Sequence, residues 1–335
     1  MSLFEIKKIF ITSFTCFLLA ANLKAQDSLS QYILTPKTGP APRINGPKIF
    51  GVRPGHPLLF TIPATGDRPI NFSADNLPKE LKLDTKTGRI SGSLGKTGKY
   101  NITLHAKNKI GQTSRALTIV VGETIALTPP MGWNSWNIYA TKVTQELVLA
   151  NAKAMASSGL IDHGWSYMNI DDVWQGKRGG KYNSIMPDDS TFPDMQALVN
   201  EIHNRGLKAG IYSTPWVESY GHHIGGSAMN PQGTFERTKE NIPRNKKQLP
   251  YAIGEYKFWD NDVKQFASWG FDYLKYDWNP IELPETKTMY DLCGEVAAIL
   301  FLVYPIVRHS HLSGNCQKFP MHGVQVATSE TTGKV

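Results

Sequence analysis

Two hydrophobic periods divide the chain. From Ile49 to Val121, apolar and polar positions alternate in short runs: Leu58–Ile62, Ile70–Ser73, Tyr100–Leu104 and Ala116–Val121, with turn glycines at Gly88, Gly92 and Gly98. A period of two sends successive side chains to opposite faces, so each run predicts a half-buried strand. Several short strands at this spacing predict a small β-sandwich over residues 48–123. From Leu127 the texture changes to strands alternating with helical patterns. Met131–Asn134 ends a first strand, and Thr144–Ser158 predicts a helix with Thr144 as N-cap and Gly159 past its end. Tyr167–Asp171, Leu207–Tyr212 and Phe271–Asp277 predict further strands. Asp194–Arg205, closed by Gly206, and Asp260–Trp269, closed by Gly270, predict further helices. A long loop runs from the third strand to Phe258.

Alternating strands and helices build parallel sheets. Polar and aromatic residues gather at the strand C-termini, where a (β/α)8 barrel carries its site. No phosphate-binding glycine pattern follows a strand, which argues against a nucleotide fold. The predicted fold class is α/β: a (β/α)8 TIM barrel, with about four β/α units over 124–291, preceded by the all-β sandwich. The segment Leu77–Gly92 within that sandwich resembles the immunoglobulin-like modules of bacterial surface and periplasmic proteins. It shows no aromatic platform, which favours a spacer over a sugar- or partner-binding module.

Composition adds limits. The chain has 335 residues and a formal net charge of +8. Its basic residues are scattered, and Arg244–Lys247 is the densest cluster, so the charge does not draw a nucleic-acid-binding face. Lys7 and Lys8, the apolar run Ile9–Ala21 and the small residue Ala25 have the order of a secretory signal, which predicts cleavage after Ala25 and a secreted or periplasmic bacterial protein. The apolar run is short for a membrane span; an uncleaved anchor is the competing reading. Residues 26–47, rich in Pro, Gly and Thr, read as a linker or a first strand. The three cysteines are Cys16, Cys293 and Cys316. No pair has metal-site spacing, and no motif implies a metal or cofactor.

Three strand ends carry candidate chemistry. Lys275 and Asp277 are two apart on one strand and share a face. A cation beside a carboxylate favours the ionised form that a nucleophile needs, although the same pair could be a structural ion bridge. Asp171-Asp172 closes another strand. Such a pair can accept hydrogen bonds from sugar hydroxyls, contribute to a metal site if more oxygen donors join it, or cap a helix. Trp133, Trp136, Trp174 and Trp216 lie at or just beyond strand ends, where their rings suit either the C–H face of a pyranose or the core.

Four motifs occur in order: Thr128–Asn137 (TPPMGWNSWN), Asn169–Trp174 (NIDDVW), Lys208–Ser213 (KAGIYS) and Asp272–Asp277 (DYLKYD). Together they resemble glycoside hydrolase family 27, the α-galactosidase or melibiase family, over about Leu127 to Asp291. The resemblance implies a retaining mechanism in a (β/α)8 barrel with Asp277 as nucleophile. It implies that Lys275, Asp171, Asp172 and Trp133 hold a terminal galactose, with Tyr212 and Trp174 as wall residues. The implied partner is a galactose-containing oligo- or polysaccharide. α-N-Acetylgalactosaminidase, β-L-arabinopyranosidase and a non-catalytic galactose-binding remnant are the alternatives. One departure comes directly after the nucleophile: family members often carry a cysteine two residues beyond it, where this chain has Trp278-Asn279.

A larger departure follows. Retaining glycosidases use two carboxyls about 5 Å apart, one attacking and one donating a proton. The family's acid/base aspartate lies in a Trp-Arg-Thr-x-Gly-Asp-like motif well after the nucleophile, and residues 292–335 contain no such motif. The expectation is that this chain lacks its acid/base partner and that the edge of its fourth strand is exposed. Read from the third base of each codon, however, the tail permits Leu-Arg-Arg-Ser-Gly-Arg-Asp-Ile from Leu292 and Ser-Leu-Ser-Asn-Ser-Ala-Pro from Leu302. The same frame permits Asn-Ala-Trp-Arg-Thr-Gly-Gly-Asp-Ile from Pro320 and Asp-Asn-Trp from Glu330. These resemble the family's later elements in order, so 292–335 reads as an aberrant, frameshifted tail. Resequencing the gene around the Asp291 codon is expected to reveal a missing nucleotide; an intact frame encoding this same tail refutes the frameshift.

Overall fold

The computed structural model describes residues 38–235 and 253–277, together with the backbone of 300–304. The signal-like segment 1–25, the basic cluster Arg244–Lys247, Trp278-Asn279 and the tail apart from 300–304 lie outside the described residues. The alternating runs form two sheets. One contains β1 (Ile49–Val52), β3 (Asn71–Asp75), β6 (Gly98–Lys107) and β7 (Gln112–Val121), in the order β1-β7-β6-β3. The other contains β2 (Pro57–Thr61), β4 (Leu81–Leu83) and β5 (Arg89–Ser93), in the order β2-β5-β4. The longest ladder is antiparallel, from Gly98 opposite Val121 to Lys107 opposite Gln112. Its alternation puts Ile102, Leu104, Leu117 and Ile119 into a core with Leu58, Phe60, Phe72 and Ile90. The predicted linker boundary moves: Arg43–Ile44 pairs with Ala64–Thr65, so strand pairing begins before residue 48.

The second region is a parallel sheet in chain order: β8 (Gly132–Asn134), β9 (Tyr167–Ile170), β12 (Lys208–Ser213), β13 (Tyr273–Asp277) and β14 (Leu300–Tyr304). Between β9 and β12 lies an antiparallel hairpin, β10 (Gln175–Gly179) and β11 (Ser184–Pro187), which the sequence pattern did not predict. Helices α1 (Gln145–Ser157), α2 (Met195–Asn204) and α3 (Trp259–Trp269) lie close to their predicted spans. Thr144 Oγ1 accepts the Leu147 amide at 3.3 Å, and Asp194 Oδ1 accepts the Ala197 amide at 2.8 Å. These side chains satisfy amides that a first helical turn leaves without partners. Gly270, at φ 87°, ends α3 in the left-handed region that favours glycine. Met168, Ile170, Ala209, Ile211 and Leu274 meet the helices in the main core.

The expected open edge of the fourth strand is corrected by β14. Leu300–Tyr304 pairs with β13 in parallel register, from Tyr273 opposite Leu300 to Asp277 opposite Tyr304. An apolar, β-prone run supplies the backbone groups that an unpaired edge lacks.

The sandwich is fastened to the start of the barrel region rather than tethered as a loose spacer. Thr61 donates to the Gly206 carbonyl at 2.8 Å, Arg89 to the Asn204 carbonyl at 2.7 Å and Asn45 to the Asp162 carbonyl at 2.9 Å. The Lys208 ammonium lies 4.1 Å from the centre of the Phe50 ring. Burial lowers the Lys208 pKa to about 8, against an upward pull from Asp272.

Gly210, in the middle of β12, marks a close approach. A Cβ there would lie 2.5 Å from Tyr273 Cδ1 and 2.6 Å from Asn169 Oδ1. Gly210→Ala is expected to destabilise the fold by about 1–3 kcal/mol through overpacking, measured as a lower urea midpoint.

Candidate active site

The site is built from strand ends. On β13, Lys275 and Asp277 share a face, and parallel register sets Lys275 beside Tyr212 of β12. The Tyr212 hydroxyl donates to Asp277 Oδ2 at 3.2 Å. Thr214 donates to the Asp277 carbonyl at 3.2 Å. Lys275 Nζ donates to Asp171 Oδ2 at 2.7 Å. The ammonium thus pairs with Asp171, and its charge also acts on Asp277, with which it shares a face of the strand. Trp133 is half-buried on β8, edge-on to Tyr139 at 6.1 Å.

The two adjacent aspartates differ. Asp171 is buried, and its amide donates to Ser135 Oγ at 2.9 Å. Asp172 is also buried, and it is heavily hydrogen-bonded. Its Oδ1 accepts the Val173 amide at 2.7 Å and the Gln175 side-chain amide at 2.9 Å. Its Oδ2 accepts the Gly221 amide. Three donors fill most of the acceptor capacity of a carboxylate. Asp172 therefore fixes the loop around Ser219–Gly221. Val173, next to it, has φ 81°, a strained conformation for a β-branched residue. Its amide is held by both Asp172 and Gln175 Oε1.

Trp174 is a correction to the wall-residue expectation. It is 0% exposed, packs edge-on against Phe266 and Trp269, and donates its indole N–H to the Tyr212 carbonyl at 2.9 Å. It supports the site from the core. Trp216 is buried as well. Tyr212 is also buried, but its hydroxyl reaches Asp277. Sequence reasoning missed Ser135, Gln175, Ser219 and Gly221. Ser135 lay within a quoted motif; the others carried no pattern of their own. Among the described residues, no group of three or more His, Cys, Asp or Glu side chains is placed to hold a metal.

Residues 128–229 match the family model described as alpha galactosidase A, and residues 41–122 match an Ig-domain model. The barrel segment is thus similar to the α-galactosidase family. An α-galactosidase of Coffea arabica is 36% identical over 154 residues, 46% of this chain and 33% of that protein. Alpha-galactosidase A of Cellvibrio japonicus is 36% identical over 169 residues, 50% of this chain and 34% of that protein. A solved structure of a candidate α-galactosidase from Bacteroides fragilis aligns with TM-score 0.67 and 35% identity, covering 80% of this chain and 53% of that one. The chain spans about a third of the length of these curated relatives.

Among the described residues of this segment, the carboxylates of Asp171, Asp172 and Asp277 all act on the Lys275 ammonium. Burial raises the Asp277 pKa to about 6, with Lys275 and the Tyr212 hydrogen bond pulling down and Asp171 and Asp172 pushing up. Burial also raises Asp172, against its hydrogen bonds. For Lys275, burial pulls the pKa down, but Asp171 and Asp277 outweigh it and the net shift is upward. Because the folded Asp277 pKa exceeds its ordinary value of 3.8, ionisation opposes folding. The penalty is absent below about pH 3.8, grows through the window to 6 and is complete above it. Asp277→Asn is expected to raise stability above pH 6 by up to about 2–3 kcal/mol relative to its effect at about pH 3.5, measured by urea unfolding at both pH values.

Proposed function

We propose that this chain derives from a retaining α-galactosidase and that Asp277 is its nucleophile. The observation that carries this reading is the Asp277 carboxylate held by the Tyr212 hydroxyl beside the Lys275–Asp171 pair. Asp277 attacks the anomeric carbon of a terminal α-linked galactose, the glycosidic C–O bond breaks, and a galactosyl ester forms on Asp277. Water then attacks that ester and returns the carboxylate. Lys275 and Asp171 supply donors and acceptors for sugar hydroxyls, and Trp133 supplies an apolar face. A terminal N-acetylgalactosamine or β-L-arabinopyranose is the alternative substrate within the same chemistry. The order of charged, apolar and small residues at the N-terminus supports secretion; no helix among the described residues is long and apolar enough to cross a membrane.

An alkoxide leaving group needs a proton. Asp171 is paired with Lys275, and Asp172 accepts from Val173, Gln175 and Gly221, so neither is arranged as a donor. A dinitrophenyl α-galactoside, whose leaving group needs no acid, isolates the nucleophilic step. The full chain is expected to release dinitrophenolate and to carry a galactosyl adduct on the peptide containing Asp277, detected by mass spectrometry. Substrates with alkoxide leaving groups should lack an acid contribution of about 10²–10⁴. Equal release by Asp277→Ala refutes the nucleophile, and sugar binding without any adduct identifies a non-catalytic binder.

A further inference from the structure

Tyr220 is a large aromatic residue left 50% exposed. Its ring meets Trp136 edge-on, with centroids 5.8 Å apart and planes at 77°. Trp136 closely follows β8, and its amide donates to Asn134 Oδ1 at 2.9 Å. The two rings therefore come from segments after different strands of the same sheet, Trp136 from the start of the short helix Trp136–Tyr139 and Tyr220 from a loop, and brace each other.

The loop carrying Tyr220 is fixed from several sides. The Gly221 amide, next in the chain to Tyr220, donates to Asp172. The Ser219 amide donates to the His223 carbonyl at 2.7 Å, and His223 Nδ1 lies 3.0 Å from the Gln175 carbonyl. Tyr220 is thus adjacent in the chain to the contact with the buried Asp172. Its ring belongs to the rim of the site, and its exposure is not the result of a loose loop.

We propose that Tyr220, braced by Trp136, is a platform for the second sugar of the substrate, the one to which the terminal residue is attached. This rests on the glycosidase reading above. A site that takes one terminal sugar against buried carboxylates leaves the rest of the substrate over its rim. A hexopyranose presents a flat C–H face there, and an aromatic ring held in place binds such a face without the cost of ordering a mobile loop. The occupant is a neutral hexose, and the interaction adds selectivity for galactosides over free galactose.

The test is calorimetric titration of the full chain with galactose and with a thio-linked α-galactosyl-(1→6)-glucose, which resists cleavage. The disaccharide is expected to bind about fivefold tighter than galactose. Tyr220→Ala should remove that advantage and leave galactose binding unchanged, while Tyr220→Phe keeps it. If galactose binds and Tyr220→Ala retains the advantage, the platform is refuted and the glycosidase reading stands. If the variant weakens both sugars equally, Tyr220 belongs to the terminal-sugar site and the platform is again refuted. If neither sugar binds the unmodified chain, both readings fall.

Discussion

The site depends on one imbalance of charge: Asp171, Asp172 and Asp277 stand around a single ammonium, Lys275, with most of their surface removed from water. Burying a carboxylate is costly unless charge or hydrogen bonds offset it. The structure uses a different remedy for each. Asp171 takes the direct ion pair, Asp172 takes three hydrogen bonds, and Asp277 receives the Tyr212 hydroxyl and the field of Lys275. The carboxylate with the least direct compensation is Asp277, the proposed nucleophile.

That arrangement depends on parts of the chain that do no chemistry. Trp174 holds the Tyr212 carbonyl from the core, and so helps set the hydroxyl that reaches Asp277. Gln175 and the strained Val173 fix Asp172, which in turn fixes the loop at Ser219–Gly221. At the opposite end of the strands, the sandwich meets Gly206, just before β12, and Lys208, its first residue. Its role in this fold is structural contact along one strand that also carries Tyr212.

Local signals were legible where a residue acts through its own neighbours in sequence. Thr144 and Asp194 cap helices because their side chains reach amides three residues on, and Gly270 ends a helix because its backbone tolerates positive φ. The shared face of Lys275 and Asp277 follows from strand geometry alone. The hairpin Gln175–Pro187 was not legible, since its short strands have no clear alternation. The fifth strand was also missed, because pairing with β13 depends on an available edge that no local pattern reports.

The one-dimensional pattern was enough for the division into a sandwich and a strand-helix region, the resemblance of the latter to α-galactosidases, and Asp277 as the candidate nucleophile. Periodicity, caps and ordered motifs are local properties, so they survive in one dimension. Only the tertiary structure decided that Lys275 bridges to Asp171, that Asp172 organises a loop, and that Trp174 lies in the core. Each of these is a choice among partners far apart in the chain, and such choices are made by packing and by the distribution of charge in three dimensions.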